Sequence, residues 1–130
     1  EPASITDAYA LIKVLSQEHS VKRFQVLCNM VQDNAHARQL YAKLARVADN
    51  YLDVSLGYLG CVPQDDKLKL AVKAQKPVVE AFPYSSSAIA FQGLADRVIG
   101  LPRPTQHNGF LEFFSEQTLP LSRAAVGGAG

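Results

Sequence analysis

Few residues in this chain have side chains suited to chemistry, and they gather near two apolar runs. Asn29 closes the run FQVLCN, and an amide is an unexpected last residue for a strand that reads as buried. In open α/β sheets ligands lie at the carboxyl ends of the strands. Asn29 is therefore either a ligand-binding group or a turn former that caps the next segment. Pro63 stops a second apolar run, SLGYLGCVP, and Gln64, Asp65 and Asp66 follow it. Asp65 stands where a helix needs an N-cap, its carboxylate taking free backbone N–H groups. Asp66 reads as a first-turn acid with no ligand. Cys28 and Cys61 each sit in an apolar run near a strand end. They read as small buried thiols of a reduced protein, with a disulfide between neighbouring strand ends as the minor alternative. Two cysteines with His19, His36 and His107 show no ligand-pair spacing, so no metal site is read. No catalytic residue is assigned.

The elements that would position these groups follow from periodicity. ITDAYALIKVLSQEH reads as a helix, with Ile5, Ala8, Leu11, Ile12 and Leu15 on one face and Ser4 or Thr6 as N-cap. KRFQVLCNMV is a strand whose nearly continuous apolar character predicts cover on both faces. NAHARQLYAKLARVADNYL is a helix capped by Asp33 or Asn34, its apolar face formed by Ala37, Leu40, Tyr41, Leu44, Val47, Ala48 and Tyr51. SLGYLGCVP is a second strand, and DDKLKLAVKAQ a short helix with acids at the favourable dipole end. KPVVEAFPYSS reads as a loop or extended segment. SSSAIAFQGLADRVIG is a helix capped by one of Ser85 to Ser87 and ended by Gly100. The organisation expected is a domain over 1–101, a linker at 102–107, a short amphipathic helix at 108–119 and a disordered tail at 120–130.

The chain has 130 residues, enough for one domain, and its 48% hydrophobic and 19% charged residues describe a globular protein. A net charge of +1 gives no general pull toward nucleic acid or anionic lipid. No apolar run approaches the roughly 20 residues that span a bilayer. The first residues, EPASITDAY, carry neither the basic nor the apolar region of a signal peptide, and a cytoplasmic location is expected. Strand, helix, strand at this spacing is a βαβ unit. Two strands cannot complete a parallel sheet, and an uncovered edge is a pairing hazard. The chain is therefore read as the second half of a larger α/β domain, its other half removed or supplied by another chain. A receiver domain is excluded, since neither a phosphoacceptor Asp after the central strand nor five βα repeats are present.

The segments EPASITDAYALIKVL, VLCNMV, YLGCVPQDDKLKLAVKAQKPVVEAFPYSSSAIAF and GFLEFF together resemble the C-terminal half of the MinD/ParA-type ATPases. Among these they are most similar to the flagellar-number regulators FlhG/FleN. The family pattern is a strand ending in Asn, a strand ending in G-x-[IV]-P-x-D, a helix, a PV segment and a Ser-rich helix start. Asn29, Gly60, Val62, Pro63, Asp65, Pro77 and Val78 match it in order. The resemblance implies an α/β fold, helix-rich, holding a partial doubly wound parallel sheet of about two strands. It implies that Asn29 bonds the adenine edge, that the loop from Pro63 to Asp65 closes over the base, and that the intact protein binds ATP with Mg²⁺. An amide suits the adenine role, offering both a donor and an acceptor. The family's P-loop, which cradles phosphates and directs a Lys to them, has no counterpart here: no G-x-x-x-x-G-K-[ST] occurs. This chain alone is expected neither to hydrolyse ATP nor to bind it tightly.

The resemblance also implies an ATP-dependent homodimer in the intact protein. Its implied partners are the flagellar GTPase FlhF, C-ring proteins and the master transcription activator of flagellar genes. Lys69, Lys73 and Lys76 at i, i+4 and i+7 read as a basic stripe near Phe82, either a solvated face or a docking site for an acidic-hydrophobic peptide. Phe110, Leu111, Phe113 and Phe114 crowd four large apolar groups into five positions. They either pack on their own domain, dock a partner or touch a membrane. With Glu112 and Glu116 on the polar side, membrane contact would be weak, and a place at the cell pole or inner membrane surface rests on the family alone. Two functions are weighed. One is the C-terminal part of a MinD-like regulatory ATPase, supplying the adenine side and partner-binding helices. The other is a non-enzymatic interaction module that folds alone.

Overall fold

The structure, a computed structural model, describes residues 2–103. Its elements run α1 (Pro2–Glu18), β1 (Arg23–Val31), α2 (Asn34–Tyr51), β2 (Ser55–Pro63), α3 (Asp66–Lys73), α4 (Val78–Ala81) and α5 (Ser86–Ile99). β1 and β2 pair in parallel with α2 as their connection, the βαβ unit that the sequence predicts. Among the described residues the sheet has these two strands, so each keeps one unpaired edge. Expectations for Phe110, Leu111, Phe113 and Phe114, and for 104–130 as a whole, lie outside the described residues.

α2 holds the unit together. The Asp33 carboxylate caps it, accepting the His36 N–H at 2.7 Å. Ala37, Leu44 and Ala48 are buried along one stripe. The Tyr41 hydroxyl donates to the Leu56 carbonyl at 2.7 Å, and its ring centroid lies 5.4 Å from that of Tyr58, tying α2 to β2. α5 packs on β2, where the Arg97 guanidinium donates to the Leu59 carbonyl at 2.7 Å. A smaller core of Ala71, Val78 and Ala88 joins α3, α4 and α5, with Leu68 and Phe82 against it.

Five local expectations are corrected. α1 begins at Pro2, so Ser4 and Thr6 lie inside the helix and not at the position before it; proline suits a first turn, where N–H groups have no helical partner. The buried stripe of α1 centres on Ile12, and Leu11 is 60% exposed. β1 is not covered on both faces: burial alternates along it, and Leu27 is 43% exposed. Leu27 pairs with Gly60, which lies beneath α5, but α5 sits over β2 and leaves that face of β1 open. KPVVEAF contains a single helical turn, because burying Val78 against Ala71 and Ala88 outweighs the strand preference of two valines. α3 ends at Lys73, and Gln75 takes the left-handed conformation at φ 54°, so the chain turns before Lys76 and the helical stripe stops at Lys73.

Candidate functional site

The carboxyl ends of the two strands lie side by side. Asn29 pairs with Val62 and Val31 with Pro63, and the register slips between Asn29 and Val31. Val31 and Val62 are 2% and 1% exposed, so two buried valines anchor the rim. The slip is taken up by Met30, which adopts φ 57°, a left-handed conformation seldom used by a long side chain. The Asn29 Oδ1 accepts the Met30 N–H at 2.9 Å and so helps to hold that turn. The Gln64 N–H donates to the Val31 carbonyl at 2.8 Å, drawing the loop after Pro63 against the end of β1. Among the described residues the Asn29 amide nitrogen has no partner. Both sequence readings of Asn29 are thus compatible in one side chain: its oxygen serves the turn, and its N–H₂ group stands exposed at the strand end.

Asp65 is a double cap. Its Oδ1 accepts the Lys67 N–H at 2.9 Å at the start of α3. Its Oδ2 accepts the Ser87 hydroxyl at 2.6 Å and the Ser87 N–H at 2.9 Å in the first turn of α5. The Ser87 hydroxyl, then its backbone N–H, hold the Asp65 carboxyl well below the usual aspartate range. Ser87, which reads from the sequence only as one of three candidate caps, is fully buried. The signal was there in three consecutive serines before an apolar helix: Ser85 caps α5, while Ser87 turns inward to Asp65.

The basic residues are brought together only in part. Lys69 meets Asp66 at 3.2 Å in an exposed pair, which contributes little. It is Lys67, not the expected stripe, that covers Phe82, with its ammonium 5.0 Å from the ring centroid. A groove of about 190 Å³ between α1, β1 and α2 includes Ile5, Asn29, Met30, His36 and Leu40 in its lining. That is below the roughly 300–1,000 Å³ of pockets that enclose a whole ligand, so this groove could take only part of one. Among the described residues no three His, Cys, Asp or Glu converge as metal ligands, and no helix is long and apolar enough to cross a membrane.

Two parallel strands joined by a helix, with a polar rim at their carboxyl ends, define an α/β unit of the kind that binds ligands at strand ends. The chain matches no protein-family model. It is 46% identical over 128 residues to the Antiactivator FleN of Pseudomonas aeruginosa, covering 97% of this chain and 46% of that protein. It is 31% identical over 117 residues to the Flagellum site-determining protein YlxH of Helicobacter pylori, covering 89% of this chain and 38% of that protein. The chain is therefore close in sequence to the FleN/FlhG flagellar-number regulators, as its motifs imply, and spans less than half the length of either relative.

Proposed function

We propose that the chain is the C-terminal part of a MinD-like ATPase that regulates the number and placement of flagella, and that it supplies the adenine-facing side of the nucleotide site. The observation that carries this reading is the pairing of the Asn29 and Pro63 strand ends in a chain 46% identical to an antiactivator FleN. The free amide nitrogen of Asn29 would donate to the base, with its oxygen as the matching acceptor. Asp65 would act by fixing the loop that follows Pro63. ATP with Mg²⁺ would be held by a P-loop and acids outside this sequence, so this chain alone would be inactive. In the intact protein, ATP-dependent dimerisation would govern contacts with FlhF, C-ring proteins and the flagellar master activator. These contacts would take place in the cytoplasm, at the pole or inner membrane surface. Lys69, Lys73 and Lys76, with Lys67 and Phe82, would serve partner docking. Losing a two-point contact to a base costs about 1–3 kcal/mol, or roughly 5–150-fold in affinity. Asn29→Ala in a full-length protein carrying this segment should weaken ATP by about that factor and reduce its preference over GTP. Unchanged affinity and unchanged preference would remove Asn29 from the adenine site.

The second reading, a module that docks partners without nucleotide, is favoured by exposed Leu70 and Val72 on α3 beside its lysines. It requires the isolated chain to bind a flagellar partner equally well with and without ATP·Mg²⁺.

A further inference from the structure

The two cysteines have no part in the site described above, yet the fold brings them level. Cys28 and Cys61 are register partners on β1 and β2, aligned by the slip that pairs Leu27 with Gly60. Neighbouring strands lie about 4.8 Å apart, inside the roughly 4.4–6.8 Å Cα separation that a disulfide spans. Both thiols face the first turn of α2. The Cys28 Sγ donates to the Ala37 carbonyl at 3.4 Å, and the Cys61 Sγ lies 3.9 Å from the Asn34 Oδ1. Both residues are half-buried and both are free thiols, so a small reagent can reach them. Mutual influence supports their closeness: burial, then the neighbouring Cys61, pushes the Cys28 thiol up. Tyr58, whose hydroxyl donates to Asn34 Oδ1 at 2.7 Å, is pushed up to about 12, by burial first and then by Cys61 and Cys28.

We propose that Cys28 and Cys61 form a thiol–disulfide exchange site that closes reversibly with small oxidised thiols of the glutathione class. One cysteine thiolate attacks a sulfur of the reagent disulfide, giving a mixed disulfide and releasing one reagent thiolate. The second cysteine thiolate then attacks the protein-side sulfur, the Cys28–Cys61 bond forms, and the second reagent thiolate leaves. Two electrons pass from the cysteine pair to the reagent, and the two protons lost by the cysteines are taken up by the released thiolates. The bond would join the strands one residue before Asn29 and before Val62.

The test equilibrates the chain in mixtures of oxidised and reduced glutathione, followed by acid quenching, alkylation, intact mass measurement and peptide mapping. Loss of both alkylatable thiols, a Cys28–Cys61 linked peptide and full reversal by dithiothreitol are expected. Because the fold holds the pair together, half-oxidation should need an oxidant ratio at least about tenfold lower in buffer than in urea. Cys28→Ser and Cys61→Ser chains should each stop at a single glutathione adduct. Stable adducts on both cysteines of the parent chain, disulfide-linked dimers without the internal link, persistent free thiols, or equal oxidation in buffer and urea would each overturn the proposal.

Discussion

Gly60 occupies the register slip of β2 at φ 149°, and a Cβ added there would lie 2.9 Å from Leu94 Cδ2 and 2.5 Å from an Arg97 guanidinium nitrogen. Holding an alanine at this backbone conformation costs on the order of 1–3 kcal/mol. The Arg97 end can swing out, but Leu94 is only 7% exposed and has little room to retreat. Crowding a packed position adds about 1–3 kcal/mol, so Gly60→Ala should lose roughly 2–6 kcal/mol in all. Gly93 is the matched control. It lies inside α5 with no atom within 4 Å of an added Cβ, so Gly93→Ala should gain about 0.5–1 kcal/mol from helix propensity. The chain has no tryptophan, so urea unfolding is best followed by far-ultraviolet circular dichroism. With a slope of about 2 kcal/mol per molar urea, the Gly60→Ala midpoint should fall by about 1–3 M and the Gly93→Ala midpoint should rise slightly. Leu94→Ala combined with Gly60→Ala should cost less than the two separate losses added, because the removed side chain is the one that clashes. A Gly60→Ala chain within about 0.5 kcal/mol of the parent, the ordinary range of a surface change, would refute the claim that the slip requires glycine.

Ser87→Ala should cost about 1.5–3 kcal/mol, the worth of a hydrogen bond to a charged group, measured by the same unfolding curves. The depressed Asp65 carboxyl contributes stability that is present above the ordinary aspartate range and is lost as pH falls through its folded value. Asp65→Asn should therefore lower the neutral and alkaline plateau of the stability–pH curve and flatten its acid side, with the two proteins converging at low pH. Tyr58 has the opposite sign: its raised value adds stability below about pH 10, which is lost as pH climbs toward about 12. A tyrosinate absorbance titration should show a late step near pH 12 that disappears in Tyr58→Phe.

Elements with a strong local signature were legible in the chain. The second strand, α2 and α5 follow from apolar spacing bounded by Asp33, Pro63, Ser85 and Gly100, residues that act within a turn of their own position. The two strand ends that carry Asn29 and Pro63 were legible for the same reason. Failures came where distant packing overruled a local preference. Val78 and Val79 favour a strand alone but open a helical turn once Val78 is buried, and Leu27 looks like a core residue until α5 settles over β2.

The sequence by itself determined the helices and strands with strong local signals, the Asn and V-P-x-D motifs at the strand ends and the kinship with flagellar-number regulators, because each is written in neighbouring residues. Tertiary structure alone decided that Asp65 bonds Ser87, 22 residues away in the chain, and that Cys28 stands opposite Cys61. Those pairings depend on strand register and helix placement. The slip before Gly60 shifts Gly60, Cys61 and Val62 by one position until a second slip restores the register at Pro63, and no periodicity in the chain reports it.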